Sequence, residues 1–180
     1  MFLTGIVVDI VESYRDWAPP IDVNRVVSRL LSDTASRYQI GLASVVLTNA
    51  SGLSHDRRRE KTRHRGRKVG IAEIRGAYHQ KWQGDPAWVE VFVDNTLNGI
   101  PLWLLRLPIL QDAIVADVLF HEIGHHLHAT QAPEHREPED VAERWERRLW
   151  RQYARRHYWY LLPWFYPIHL GVRLWNKVRK

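Results

Sequence analysis

The chain has 180 residues, a net charge of +6 and an apolar content of 45%. These values indicate one folded domain with a hydrophobic core and argue against a disordered chain or a polytopic membrane protein. The sequence contains no cysteine, which excludes disulfides, zinc ribbons and thiol catalysis, so any metal must be held by histidine and carboxylate side chains. The missing disulfide framework fits a reducing cytoplasm, where we expect the protein to reside.

The N-terminal half of the chain predicts one helix and four strands. Residues 1–9 are apolar but have no basic n-region, so they predict a first strand or buried edge rather than a secretory signal. Apolar residues at helical spacing over 22–38 predict an amphipathic helix capped by Asp22. Runs rich in β-branched residues predict strands at 42–48, 69–78 and 88–94.

A strongly basic segment, 55–68, lies between two of these predicted strands and is expected to be a loop. It holds eight Lys and Arg residues against two acids. It fits a solvated insertion, a patch that contacts nucleic-acid phosphates, or a loop over a cleft that steers acidic substrates. The basic residues of this patch are Arg57, Arg58, Arg59, Lys61, Arg63, Arg65, Arg67 and Lys68.

An apolar connector, 100–108, precedes the most informative part of the chain. Its hydrophobic side chains fit a loop that folds onto the core. They also fit a wall of a substrate cleft, with Trp103 in a specificity pocket.

The stretch 118–126 contains His121, Glu122 and His125 in the pattern His-Glu-x-x-His. On a helix the two histidines leave the same face one turn apart, at a separation that lets both ring nitrogens reach one zinc ion. Glu122 is placed to take a proton from a zinc-bound water and to pass it to a leaving amine. The apolar lead-in 113–120 predicts a core helix, and Gly124 predicts that another element approaches closely.

Residues 113–129 resemble the active-site helix of the zincin metallopeptidases, in which an apolar run precedes His-Glu-x-Gly-His. The resemblance implies an α+β, zincin-like fold: a small mixed sheet with an N-terminal helix, an active-site helix and a following glutamate helix. It also implies one Zn²⁺ and hydrolysis of peptide bonds in a protein or peptide substrate.

The third zinc ligand is expected after the His-Glu helix, because catalytic zinc usually has three protein ligands. Gln131 stands at the third ligand position of the metzincin pattern, so that pattern fails. A helix is predicted to begin at Pro138, and its stretch Glu139-x-x-Ala142-Glu143 resembles the glutamate helix of the gluzincins, most closely of the ImmA/IrrE-like group.

That second resemblance covers about 113–146 and implies that Glu139 binds zinc. It also implies that Glu143 holds the outer nitrogen of a ligand histidine, as metal-bound imidazoles normally require. Glu143 and His135 remain reserve ligands. The alternative is that these glutamates form a solvated helix edge that pairs with Arg147 and Arg148.

We divide the chain into a metallopeptidase domain, 1–156, and a C-terminal segment, 157–180. The aromatic and basic stretch 158–175 is expected to pack on the domain or on a dimer interface. A peripheral membrane anchor is the alternative. Tyr153, His157 and Tyr158 are candidate donors to the oxyanion.

The sequence therefore predicts a zinc metallopeptidase. Two alternatives remain open: a protease or regulator associated with nucleic acid through 55–68, since the SprT-like and ImmA/IrrE-like groups include enzymes that cut DNA-associated proteins, and a non-catalytic zinc-binding scaffold module.

Overall fold

A small mixed sheet and two long helices organise the protein, whose computed structural model describes residues 8–64, 67–130 and 138–161. The strands are β1 (Asp9–Ser13), β2 (Leu42–Thr48), β3 (Lys61–His64), β4 (Arg67–Gly70), β5 (Gly76–His79) and β6 (Ala87–Phe92). The helices are α1 (Val23–Asp33), α2 (His55–Arg59), α3 (Val93–Leu97), α4 (Pro108–Thr130) and α5 (Pro138–His157). The fold class is α+β, as predicted.

The main sheet has the strand order β1-β2-β6-β5, so β5 forms one edge. Strands β1, β2 and β6 are parallel, and β5 runs antiparallel to β6. One face of the sheet packs under α1 and α4, because alternate residues of β2 and β6 are apolar. The core between them includes Val45, Leu47, Val89, Val91, Leu30, Leu119 and Ile123.

Helix α1 begins where the sequence predicts. The Asp22 carboxylate accepts a hydrogen bond from the backbone N–H of Arg25 at 2.9 Å, which satisfies one of the open donors of the first turn. The helix ends at Asp33, earlier than the predicted boundary at 38. The Gln39 side chain donates to the carbonyls of Leu31 and Thr34, and these bonds fix the chain as it leaves the helix.

The predicted strand 69–78 is wrong in its middle. Strand β4 ends at Gly70, a short 3-10 turn follows at Ile71–Glu73, and β5 begins at Gly76. Ile71 and Ile74 turn inward onto Phe92 in a second, smaller apolar cluster, which an uninterrupted strand would not allow. The predicted strand 88–94 is β6, and its last two residues begin α3 instead.

The basic segment 55–68 is also more ordered than the predicted loop. It contains α2, whose first turn is capped by the Ser54 hydroxyl, and the strands β3 and β4, which pair as an antiparallel hairpin. The predicted first strand at 1–9 lies mostly outside the described residues, and the described strand β1 follows it.

Helices α4 and α5 lie antiparallel and in close contact. The C-terminal half of α4 meets the first turns of α5 at His121 and Glu139, and the first turns of α4 meet the end of α5 at Asp112 and Tyr153. In the described ranges no helix has the length and apolar content needed to cross a bilayer.

Candidate metal centre and its cleft

Helix α4 places His121 and His125 on one face, one turn apart, as the spacing predicts. The two rings meet edge to face, with centroids 4.8 Å apart and an interplanar angle of 87°. His121 is buried and His125 is half-buried. Both Nε2 atoms face the beginning of α5.

The Glu139 carboxylate, in the first turn of α5, lies against both histidines. Its Oε2 is 3.4 Å from Nε2 of His121, and its Oε1 is 3.9 Å from Nε2 of His125. Nε2 of His121 and Oε2 of Glu139 are both buried. One ligand atom from each of the three residues lies within 4.8 Å of the other two, so the group could hold a metal ion.

A second glutamate of α5 contacts the other nitrogen of the first histidine. Oε2 of Glu146 lies 3.2 Å from Nδ1 of His121. A carboxylate at that distance accepts the Nδ1 proton, which fixes the tautomer with a lone pair on Nε2 and holds the ring in place. The resemblance assigned this contact to Glu143, but at His121 it is made by Glu146, and Glu143 lies 3.7 Å from Arg147.

Close contact between α4 and α5 explains how these glutamates reach the histidines. A Cβ on Gly124 would lie 2.7 Å from both Cα and the carbonyl oxygen of Ala142, closer than real Cβ contacts. The expectation that another element approaches Gly124 is therefore confirmed. Glycine on α4 and alanine on α5 let the two helix backbones touch, and Glu139 and Glu146 flank the contact.

Glu122 is buried beside the ligand group, with 5% of its surface exposed. Burial and, to a lesser extent, the Glu139 carboxylate raise the pKa of its carboxyl to about 8, although a hydrogen bond from the backbone of Tyr78 acts in the opposite direction. The side chain lies against Gly76 of the edge strand β5. Nothing in the local sequence around Gly76 or Tyr78 indicates a role in this site.

A cleft of about 640 Å³ opens onto the group. Strand β5 forms one wall and the C-terminal half of α4 forms the opposite wall. The lining residues include Thr62, Ile74, Gly76, Tyr78, Lys81, Glu122, His125, His128 and Glu139.

The ligand types and the negative charge of this group fit a divalent zinc ion. Two imidazoles and one carboxylate are a ligand set of catalytic zinc, and ligands that share one zinc at about 2.1 Å lie roughly 3–4 Å apart. The two Glu139–histidine separations, 3.4 and 3.9 Å, fall in that range. A cation there would also offset the repulsion between the carboxylates of Glu122 and Glu139.

Two further histidines of α4 take different positions. His126 is buried on the core side, with Nε2 3.0 Å from the Ile40 carbonyl oxygen and Nδ1 3.2 Å from the Tyr78 hydroxyl. It ties β5 to α4. His128 lines the cleft. The reserve ligand His135 lies outside the described residues.

Two arginines of the basic patch have structural partners. Arg57 donates two hydrogen bonds, of 3.1 and 2.8 Å, to the carboxylate of Glu90, which is only 2% exposed. Arg58 donates to the carbonyl of Ser51. The Arg57 guanidinium is therefore engaged by a buried carboxylate, whereas Arg58 stays exposed. The other exposed basic residues of the patch are Arg59, Lys61 and Lys68; the side chains of Arg63 and Arg67, and all of Arg65, lie outside the described part.

The prediction that Tyr153, His157 or Tyr158 donates to the oxyanion is wrong. Tyr153 and Tyr158 each donate to Oδ2 of Asp112 at 2.5 Å, and His157 contacts Asp33 at 2.5 Å. Burial and the Asp112 carboxylate raise the pKa of both tyrosines. All three residues lie at the opposite end of α4 from the cleft.

The connector 100–108 also lies at that opposite end, where it leads into the first turn of α4. None of its residues is among those that line the cleft in the described ranges. The alternative in which the connector forms a wall of the cleft, with Trp103 in a specificity pocket, is therefore wrong. The prediction of a loop that folds onto the core holds for Leu105, which is buried there, but not for Leu102, Trp103 and Leu107, which are exposed.

Comparisons of the chain with protein-family models, with curated protein sequences and with solved structures give no significant match. The functional argument therefore rests on the residues and geometry of the site.

Proposed function

We propose that this protein is a zincin-like metallopeptidase of the gluzincin type, in which His121, His125 and Glu139 hold one Zn²⁺. The observation that carries the proposal is the convergence of these three side chains within 4.8 Å, beside a buried glutamate on the floor of an open cleft. When bound, zinc would polarise the scissile carbonyl and lower the pKa of a water molecule.

The protein's own residues would transfer the proton and orient the ligand histidine. Glu122 would accept the proton of the attacking water on its carboxylate and donate it to the leaving amine. Glu146 would hold the His121 ring through Nδ1, so that Nε2 keeps its lone pair for the metal.

The cleft shape supports an extended peptide as the substrate. Strand β5 is an edge of the sheet and lines the cleft beside Glu122. An edge strand offers a row of backbone N–H and C=O groups, to which a peptide in extended conformation can add as a further strand. Such pairing recognises backbone rather than side chains, and it would lay the scissile bond along the cleft.

Metal content is the first test. Purified wild type should contain about one zinc per chain. His121→Ala should lose this zinc, because the two ligands that remain bind the ion only weakly. The zinc contents of Glu139→Ala and His135→Ala identify the third ligand. The variant that loses its zinc is the one that lacks this ligand. The exposed His55 offers a matched control, since His55→Ala removes an imidazole that does not line the cleft. Zinc retained at the wild-type level by His121→Ala would overturn the proposal.

Catalysis is tested by Glu122→Gln, with cleavage of labelled denatured casein and of a mixed peptide library as the readouts. The variant should keep its zinc and lose at least about a hundredfold in rate, because an amide cannot take the proton. Full zinc with equal cleavage in wild type and Glu122→Gln would instead support the non-catalytic scaffold.

A further inference from the structure

The connector between α3 and α4 exposes large apolar side chains in a short space. Leu102, Trp103 and Leu107 have 65%, 66% and 46% of their surface exposed. Leu105, between them, is buried in the core and anchors the connector. A cluster of exposed apolar residues on a firmly held loop typically marks an interaction surface.

The first residues after α5 expose two more aromatic rings. Trp159 and Tyr160 have 66% and 52% of their surface exposed. Their neighbour Tyr158 is fixed to the domain by its hydrogen bond to Asp112. The start of the C-terminal segment is therefore attached through one ring and presents the next two to solvent.

Both sets of rings lie at one end of the α4–α5 pair. Asp112, which receives Tyr158, is only four residues beyond Pro108, where the connector joins α4. One turn of helix rises about 5 Å. We call this end of the molecule the aromatic end; its exposed apolar residues are Leu102, Trp103, Leu107, Trp159 and Tyr160.

Exposed arginines surround the aromatic end. Arg106 lies within the connector, and Arg25 of α1 lines the same cleft of about 420 Å³ beside it. Arg155 is exposed in the last turn of α5. In the described part of the chain, no carboxylate lies within ion-pair distance of these three. Three acids lie nearby: Asp112 binds Arg29, Asp33 binds Arg156 and His157, and Asp22, which lines the same cleft, accepts the backbone N–H of Arg25 as the cap of α1.

We infer that the aromatic end is a docking surface for the interface of an anionic lipid bilayer. Exposed tryptophan and tyrosine prefer the boundary between headgroups and acyl chains, and arginines beside them bind lipid phosphates. The sequence that follows favours the same occupant. Residues 162–180 contain four aromatic residues and four Lys or Arg, with no Asp or Glu.

This orientation sets the position of the metal centre. His121 lies fourteen residues beyond Leu107 along α4, a rise of roughly 20 Å. With the aromatic end at the bilayer and α4 along the membrane normal, the cleft would open into the aqueous phase at about that height. It would then meet protein segments close to the membrane surface rather than lipid-embedded ones.

Co-sedimentation of the full chain with vesicles tests the inference. Vesicles of phosphatidylcholine mixed with phosphatidylglycerol should bind the protein, and vesicles of phosphatidylcholine alone should bind it at least about tenfold less. Trp103→Ser should lower partitioning to the anionic vesicles by about tenfold. Trp82→Ser is the matched control, because Trp82 is equally exposed, at 67%, on the turn between β5 and β6.

The charge requirement has its own pair of variants. Arg106→Gln should weaken binding to the anionic vesicles, whereas Arg147→Gln, at an exposed position in the middle of α5, should not. Equal losses in the paired variants, or equal binding to both kinds of vesicle, would overturn the inference. So would a concentration-dependent dimer that Trp103→Ser abolishes, since the aromatic end would then be a contact between copies.

Site-specific labelling gives a second readout, since the chain has no cysteine. Leu102→Cys and Trp82→Cys each provide one attachment point for a fluorophore whose emission reports polarity. Anionic vesicles should shift the label at 102 to the blue and leave the label at 82 unchanged. A shift at both positions, or at neither, would contradict the proposed orientation.

Discussion

A Cβ atom on Gly76 would lie 2.9 Å from Oε1 of Glu122 and 2.7 Å from Cγ1 of Val118. Real Cβ atoms essentially never come so close to other heavy atoms, so only glycine lets the edge strand β5 lie directly on α4 here. This contact sets the distance between the cleft wall and the proposed general base. The position of Glu122 therefore depends on a residue forty-six positions earlier in the chain.

Gly76→Ala should impair cleavage more than metal binding. The added methyl group must push Glu122 or the strand aside, and a displacement near 1 Å of a catalytic group can cost about a hundredfold in rate. Zinc content should remain close to wild type. Gly70→Ala is the control, since its Cβ would meet only the flexible end of Glu73, at 3.2 Å. A wild-type cleavage rate in Gly76→Ala would contradict the assignment of Glu122.

Gly124→Ala should destabilise the protein, although alanine normally stabilises a helix by about 1 kcal/mol over glycine. The new methyl group would press on the backbone of Ala142, which cannot rotate away, and overpacking of this kind costs about 1–3 kcal/mol. Urea unfolding measures the change. The exposed Ala129 gives the reference for propensity alone, because Ala129→Gly should lose up to about 1 kcal/mol. Gly124→Ala should also weaken zinc binding, as it moves α5 away from the histidines.

Glu146→Gln should weaken zinc binding by about 10- to 100-fold, the usual effect of removing the carboxylate behind a metal-bound histidine. Asp140→Asn, at an exposed position in the first turn of α5, is the control and should leave the affinity near wild type. Competition with a zinc chelator measures both. Equal losses in the two variants would contradict the role of Glu146.

Arg57→Gln should cost about 3 kcal/mol of folding stability, because it leaves the buried Glu90 carboxylate without its guanidinium. Arg59→Gln, at an exposed neighbouring position, should change stability by less than about 0.5 kcal/mol. Chemical denaturation distinguishes them. A gel-shift test of the basic patch should therefore neutralise Arg59, Lys61 and Lys68 and leave Arg57 in place, so that lost binding does not report unfolding.

The Glu90 contact also predicts a dependence of stability on pH. Burial raises the pKa of Glu90, but the bonds from His79 and Arg57 outweigh it, and the net pKa lies below its ordinary value of 4.5. The folded state therefore binds the proton less tightly than the unfolded state. The stabilisation is present above about pH 4.5 and is lost as the pH falls through the folded pKa.

Unfolding free energies measured between neutral pH and pH 3 test this sign. Glu90→Gln should be less stable at neutral pH, and its unfolding free energy should fall less steeply as the pH is lowered. Arg57→Gln removes the other partner of the same ion pair, so its unfolding free energy should also depend less steeply on pH. A wild-type slope in both variants would show that other carboxylates govern the acid unfolding.

The sequence by itself determined the features that depend on spacing within one element. The 3.6-residue period places His121 and His125 on one face of α4 in any fold, and Asp22 and Pro138 mark helix starts through local bonding and backbone constraint. Gly124 also gave a correct signal, since a glycine inside a buried helix is costly unless something needs the room.

Only the tertiary structure decided the contacts between elements. Whether Glu143 or Glu146 reaches His121 depends on how α5 is rotated against α4, and the pattern on α5 alone permits either. The break in the predicted strand 69–78, the contact of Gly76 with Glu122 and the pairing of Arg57 with Glu90 likewise depend on which surfaces meet. Local sequence sets the backbone dihedral preferences of an element and the residues that share one of its faces. It does not set the distance and the rotation angle between two elements that pack together.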